Sequence, residues 1–266
     1  FANGGGPFAG PSDYSGAVSV LEGPDFIHGP SSTIISGLPV SNHDHAVNGM
    51  QFDNNGDLLI AVGGNTNAGI PSNKMGTLPE SPLSAAILKA ELSDPAFNGV
   101  ITYEGTVGGA PNMDQVFGDI VDVVPGTHVS VHASGLRNAF DIAFTTWGGL
   151  YATDNGPNST FGPRSLDCAT DGTEVGSADE LDLIEYGNYY GHPNRNRGRY
   201  DARQCVYRTT SEPSVPHEFT QKIASLSSSS DGIMEYRATT FLGQMYGDLI
   251  VEKWNNPVKG FVLSSD

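Results

Sequence analysis

A repeated unit constrains the fold of this chain more than any other feature. Three segments each carry a glycine-containing turn followed by a strand of alternating apolar residues: GMQFDNNGDLLIAVGG (49–64), FDIAFTTWGGLYATDNG (140–156) and YGDLIVEKW (246–254). Gly56 and Gly148 are 92 residues apart, and Gly148 and Gly247 are 99 apart. Such spacing is typical of β-propellers and solenoids, although glycine turns also join strands in other β proteins. It predicts large blades with long loops, or landmarks on alternate blades.

The rest of the chain also favours strands. Among 266 residues, 34 are glycine and 17 proline, and short apolar runs end at Gly, Asn or Asp. The best helical stretch, 84–92, reads equally well as a strand over 85–90. The segment 53–57 predicts a hairpin turn, because it lacks the glycine and distal glutamate of a calcium loop. The serine-rich segment 224–230 predicts an exposed connector.

Charge and cysteine content narrow the classes of partner that this chain can have. The formal net charge of −17 disfavours nucleic acids and anionic membrane surfaces, which would repel the chain. No apolar run approaches 18 residues, so we expect no membrane insertion. Cys168 and Cys205 could form one disulfide. That bridge would tie the long acidic segment 156–187 to residues 203–208.

Two histidines flank an aspartate in the segment 42–45, just before a predicted strand. Imidazole transfers protons near neutral pH, and a neighbouring carboxylate can orient it. On an extended chain His43 and His45 would share a face, which also suits metal ligation. The segment therefore predicts a base or a metal ligand, and the alternative is a solvated turn.

Two further segments carry polar groups between apolar stretches. Arg137 and Asn138 could together bind a carboxylate or carbonyl, or could be an ordinary surface pair. In the turn 154–158, Gly156 and Pro157 could expose backbone carbonyls to a hard cation such as calcium. An ordinary turn explains the same residues, and the overlapping sequon Asn158-Ser159-Thr160 predicts glycosylation instead.

The order of segments resembles the glucose/sorbosone dehydrogenase family, the soluble quinoprotein sugar dehydrogenases. Five stretches carry the resemblance in sequence order: DHAVNGMQFDNNGDLLIAVGG (44–64), SGLRNAFDIAF (134–144), YATDNGPN (151–158), DELDLIEYGNYYGHP (179–193) and GQMYGDLIVEKW (243–254). The similarity spans about residues 36–263. It implies an all-β fold, a six-bladed β-propeller of four-stranded blades. We expect residues 1–266 to form a single propeller domain that continues beyond one or both ends, because the repeat spacing fits only about three times into this length.

The resemblance also implies a site. His45 falls on the family's catalytic base, Arg137 on the arginine that polarises the carbonyl of pyrroloquinoline quinone (PQQ), and Asn138 beside it at the cofactor. Gly156 and Pro157 fall on the carbonyls that hold calcium. The resemblance implies a secreted protein that oxidises an aldose by hydride transfer to PQQ. In this chemistry Arg and Ca²⁺ stabilise the negative charge that develops on the quinone.

Three departures from the family pattern keep other functions open. Residues 63–65 lack an acid where the family has one, the cationic grip on the quinone is reduced to Lys253 or Lys259, and residues 159–178 are inserted between two stretches. One alternative is a non-catalytic extracellular propeller that binds carbohydrate or protein, since a fold does not dictate a function. Another is a metal hydrolase that uses His43, Asp44 and His45.

Overall fold

The computed structural model describes residues 2–3, 14–23, 31–41, 43–105, 121–208, 218–227, 229–254 and 261–263. These residues are almost entirely strands and turns. The strands are β1 (Ala2–Asn3), β2 (Gly16–Leu21), β3 (Ser31–Leu38), β4 (Val47–Phe52), β5 (Leu58–Val62), β6 (Ala86–Ala90), β7 (Tyr103–Gly105), β8 (Val121–Val123), β9 (Val129–Ser134), β10 (Ala139–Phe144), β11 (Leu150–Asp154), β12 (Pro163–Ser165), β13 (Asp171–Glu174), β14 (Asp179–Ile184), β15 (Ala224–Leu226), β16 (Ser230–Glu235), β17 (Leu249–Lys253) and β18 (Phe261–Leu263).

Helices are short and few among these residues. The α-helix α1 spans Arg195–Gly198, and 3₁₀ turns span Ala202–Cys205 and Phe241–Gly243. No helix within the described ranges has the length and apolar character needed to cross a membrane.

Four antiparallel sheets form the blades of a β-propeller. Their strand orders are β1-β2-β3, β4-β5-β6-β9, β10-β11-β14-β15 and β16-β17-β18. The first strand of each sheet contacts the first strand of the next, so β4 lies against both β1 and β10, and β10 also lies against β16. The predicted all-β propeller is therefore confirmed, and among the described residues two of the four blades are four-stranded.

The repeat observed in the sequence corresponds to consecutive blades. The first strands β4 and β10 begin at Val47 and Ala139, and the turns of both blades occupy equivalent places. The large-blade interpretation is therefore right, and the alternate-blade one is wrong. The first sheet, β1 to β3, is not among the three repeats seen in the sequence. Residues 84–92 contain β6, so their helical interpretation is also wrong.

Alternating side chains join neighbouring blades. Along β5, Leu58, Ile60 and Val62 pack against residues of the first sheet, whereas Leu59 and Ala61 pack against the third. This follows from the two-residue period of a strand. Both faces of β5 are covered, which explains why all five of its residues are buried and apolar.

The long acidic segment after β11 is an ordered insertion. The hairpin β12–β13 occupies most of residues 159–178, and Cys168 lies in its turn. A disulfide joins Cys168 to Cys205 in the 3₁₀ turn, as the sequence suggested. Gly198 allows α1 to approach this bridge, because an added Cβ would lie 2.5 Å from Cys205 Sγ.

Replacing both Cys168 and Cys205 by serine should lower the free energy of unfolding by about 3–4 kcal/mol, because the bridge restricts the unfolded chain. Guanidinium titration of the variant and of the native protein with and without reductant measures the change. The reduced native protein should match the variant. Peptide mapping that finds two free thiols would contradict the assignment.

Candidate active site

One end of the blades gathers the polar residues that the sequence singled out. At this end β4, β10 and β16 begin, and β5 and β11 finish. Antiparallel connections therefore bring the residues before β4 and β10 close to the residue after β11. They surround a cavity of about 220 Å³ lined by Asp44, His45, Arg137, Asn138, Phe140, Asn155, Gly156, Asn158, Asp179 and Ser229.

A tight loop fixes His45 at this cavity. The hydroxyl of Ser41 accepts the backbone N–H groups of Asp44 (2.8 Å) and His45 (2.6 Å), and Ser41 N donates to His45 O at 2.8 Å. The imidazole Nδ1 lies 2.8 Å from Gly64 O. Because a carbonyl only accepts, Nδ1 must carry the proton of the neutral ring. The lone pair of His45 is therefore on Nε2.

The surroundings of His45 keep it neutral. Its side chain is only 4% exposed. Burial, followed by the positive charge of Arg137, holds the pKa of His45 well below its usual value. Asp44 Oδ2 lies 3.4 Å from Nε2 and would stabilise the ring once Nε2 accepts a proton. This arrangement leaves a neutral imidazole with a carboxylate beside its unprotonated nitrogen.

Arg137 is buried and held by neighbouring oxygen atoms. Its Nε and Nη2 donate to the backbone and side-chain oxygens of Asn67 at 3.2 and 3.1 Å, and Nη1 donates to Asn155 O at 3.2 Å. These bonds use three of the five guanidinium N–H groups. The rigid cation therefore retains donors for a ligand in the cavity.

Asp154 sets the backbone of Arg137 and Asn138. Its two carboxyl oxygens accept the N–H groups of Arg137 (3.0 Å) and Asn138 (2.7 Å). Burial, with the nearby charge of Glu180, raises the pKa of Asp154 to about 8 despite these hydrogen bonds. The Asn138 side chain is then fixed by a bond to Asn155 Oδ1 (3.1 Å) and one from Asn48 Nδ2 (2.8 Å).

Gly156 and Pro157 form the turn beyond β11. Gly156 N donates to Asp179 Oδ1 at 3.1 Å, and Pro157 O accepts Ser177 N at 2.9 Å. A Cβ on Gly156 would lie 2.4 Å from Ala178 O, so this close approach requires glycine. The carbonyls remain able to ligate a cation, since each oxygen has two lone pairs. Within the described ranges, no cluster of three His, Cys, Asp or Glu side chains is arranged to bind a metal.

A smaller cavity of about 20 Å³ adjoins the first. It shares Arg137 and Gly156 with it and adds Pro157, His192 and Arg208. The combined wall offers two guanidinium groups, a glycine turn and the buried Nδ1 of His192, which lacks a hydrogen-bond partner among the described residues. The same wall carries the acids Asp154 and Glu180, and Arg208 is paired with Glu218 at 3.0 Å. An acidic ligand could be bound by the guanidinium groups, and a cation such as calcium by the neighbouring carboxylates and carbonyls.

The other residues that the sequence singled out lie in different parts of the structure. His43 is exposed whereas His45 is buried, so the two do not share a face. Lys253 pairs in register with Ser230 at the cavity end of β17, and Lys259 lies outside the described residues. The segment 224–230, taken as a connector, contributes β15 to the third blade. The predicted hairpin turn at 53–57 is confirmed.

Sequence reasoning missed the residues behind the cavity. Asn67 holds Arg137, as described above. Glu80 and His192 form a buried pair, with His192 Nε2 2.9 Å from Glu80 Oε1. Burial alone would raise the pKa of Glu80. Hydrogen bonds from His192, Ser84 and Thr66 outweigh this effect and lower the pKa to about 2. The pKa of His192 is lowered, chiefly by burial. The available signal was a lone glutamate and a lone histidine, each beside a proline, which is too general to assign.

Comparisons with known proteins agree with the fold. No protein-family model matches the chain, and no curated protein matches its sequence. Two solved structures, each described as a glucose dehydrogenase, superpose with TM-scores of 0.55 and 0.51 at 18% identity. They cover 100% and 99% of this chain, which spans 68% and 66% of theirs. A PQQ-bound aldose sugar dehydrogenase from Streptomyces coelicolor has a TM-score of 0.48 at 18% identity, over 96% of this chain and 58% of that one. The chain thus shares the fold of the two glucose dehydrogenases.

Replacing Gly63 by alanine should disturb the site, because the new Cβ would lie 2.6 Å from both Asn138 Oδ1 and His45 Cβ. We expect a loss of about 1–3 kcal/mol in unfolding free energy, as in other overpacked sites, and shifted NMR signals of the His45 ring. Gly232→Ala is the control, since the nearest atom to its Cβ would be the flexible Glu252 carboxylate at 3.3 Å. Equal effects of the two substitutions would contradict the packing described here.

Proposed function

We propose that this chain is a secreted, PQQ-dependent sugar dehydrogenase-like domain that oxidises an aldose with calcium beside the cofactor. The convergence of His45, Arg137, Asn138 and Gly156 on one cavity is the observation that carries the proposal. The sequence resemblance had implied a role for each of these residues. The disulfide supports secretion, because such bonds persist mainly in oxidising compartments.

The proposed roles follow from the geometry of each side chain. His45 presents the Nε2 lone pair and accepts the proton of the anomeric hydroxyl, while its Nδ1–H stays hydrogen-bonded to Gly64 O. Asp44 stabilises the imidazolium that results. PQQ, when bound, supplies the acceptor for the hydride that leaves the anomeric carbon.

The remaining residues would bind and orient. Arg137 is fixed before the ligand arrives, so its charge can favour negative charge on a neighbouring oxygen without reorganisation. Asn138 would place an amide at the same ligand. Arg137 and Arg208 would bind acidic groups of the cofactor, and the Gly156 and Pro157 carbonyls would hold calcium.

His45→Ala should lower the rate of dye-linked aldose oxidation by about 10²–10⁴-fold in protein supplied with PQQ and Ca²⁺, because a positioned base contributes about that much. His43→Ala is the matched control, because His43 is an exposed histidine two residues away, and it should retain the native rate. Circular dichroism checks that both variants fold.

Equal rates for the two variants would remove His45 from the mechanism. Native protein that neither turns over any aldose nor binds PQQ in calorimetry would contradict the proposal. If that protein still bound sugar, the non-catalytic carbohydrate-binding alternative would be the better explanation.

Removal of calcium should weaken PQQ binding, because Asp44 and Asp179 would then face the anionic cofactor without a cation between them. Calorimetry with PQQ after EDTA treatment measures the effect. Added Ca²⁺ should restore the affinity, and Mg²⁺ should restore less, because it requires regular octahedral geometry and retains its waters. PQQ affinity that is unchanged by EDTA would contradict the calcium assignment.

A further inference from the structure

A buried carboxylate lies directly behind the group that holds His45. Glu80 is 2% exposed, and hydrogen-bond donors surround it. Its Oε2 accepts Asn65 N at 3.0 Å and the Ser84 hydroxyl. Its Oε1 accepts Thr66 N at 3.0 Å, Thr66 Oγ1 at 2.7 Å and His192 Nε2 at 2.9 Å. So many donors fix the position of the carboxylate and keep it ionised.

One peptide group connects this carboxylate to His45. The C=O of Gly64 and the N–H of Asn65 belong to the same planar peptide unit. The N–H donates to Glu80 Oε2 at 3.0 Å, and the C=O accepts from His45 Nδ1 at 2.8 Å. Consecutive hydrogen bonds polarise one another in a buried site, so a carboxylate on the N–H makes the carbonyl a stronger acceptor.

We propose that Glu80 is a positioning residue for His45 and acts on it through the Gly64–Asn65 peptide group. The carboxylate orients and polarises that peptide, which holds His45 in the Nδ1–H form with Nε2 directed to the reaction. The proposal rests on the proposed function for its catalytic meaning, but its structural content concerns His45 alone.

The arrangement accounts for the missing acid at residues 63–65. A Cβ on Gly64 would lie 2.9 Å from Glu80 Oε1 and 3.1 Å from Arg137 O. The Glu80 carboxylate thus occupies the space that a side chain at position 64 would require. A carboxylate from a distant loop therefore lies beside position 64, where this chain has no acid of its own.

The charged groups around His45 have opposing effects. Arg137 and His192 lower its pKa, whereas Glu80 raises it, and Asp44 lies 3.4 Å from Nε2. Without the Glu80 charge, less negative charge would oppose the effect of Arg137 on the pKa of His45. His45 would then be a weaker base that stays neutral to lower pH.

Glu80→Gln tests the proposal, because it removes the charge and keeps the shape. In ¹⁵N NMR, the native His45 ring should be in the Nδ1–H form. In the variant, the midpoint of its titration should move to lower pH and the Nδ1 proton should shift upfield. Aldose turnover with PQQ and Ca²⁺ should fall about tenfold, a part of the ~10²–10⁴ that a positioned base contributes. The acid limb of the pH profile should also move to lower pH.

Glu235→Gln is the matched control. Glu235 is a buried glutamate that accepts Thr146 N and Thr146 Oγ1, as Glu80 does from Thr66, but it lies on β16. It should lose stability without changing the His45 signals. Equal changes at His45 in both variants, or a native Nε2–H form, would overturn the proposal.

Ser84→Ala provides a second test that retains the Glu80 charge. With one donor fewer, Oε2 should accept more strongly from Asn65. The Asn65 amide proton and the His45 Nδ1 proton should therefore shift downfield together. An Asn65 shift without a His45 shift would overturn the connection. Because these signals do not require turnover, an inactive native protein with coupled shifts would refute the dehydrogenase function and leave the role of Glu80 intact.

Discussion

The geometry of the candidate site depends on the backbone of Gly64, at the point where one blade meets the next. Its N–H donates to Arg137 O at 2.7 Å, and its C=O accepts His45 Nδ1 at 2.8 Å. The two residues proposed for catalysis lie 92 positions apart but bind the same residue. A side chain there would collide with its surroundings, so the contact can form only with glycine.

Burying charged groups beside this contact has a cost that the structure offsets with hydrogen bonds. An isolated ion in a protein interior is strongly unfavourable, and it is tolerated where donors or acceptors surround it. Glu80 is surrounded by N–H and O–H donors, and Arg137 by the oxygens of Asn67 and Asn155. Such groups cannot rearrange cheaply, because every bond lost leaves a buried polar atom unpaired. The same bonds that stabilise the ions therefore make the site rigid.

Much of this arrangement could be predicted from the sequence, because its causes are local. Glycine turns with alternating apolar residues predict the strands, and the segments around His45 and Arg137 lie at strand starts in each repeat. Glu80 could not be predicted this way. It lies in a loop between β5 and β6 and meets His192, 112 residues away, only through tertiary folding. The strand β15 was missed for a similar reason: its pairing with β14, rather than its own composition, makes it a strand.

The segment that the disulfide ties to the insertion supports the site through direct contacts. Gln204, beside the disulfide cysteine Cys205, accepts from Arg197 Nε at 2.7 Å. The other nitrogens of Arg197 donate to the carbonyls of Pro82, Ser84 and Ala85, in the loop that carries Glu80. A buried guanidinium can bind several carbonyls at once, so Arg197 is well suited to anchor this loop. Support for His45 therefore extends from a disulfide-bonded segment, through one arginine, to the buried Glu80 carboxylate. The insertion that separates two family-like stretches is thus built into the packing around the site.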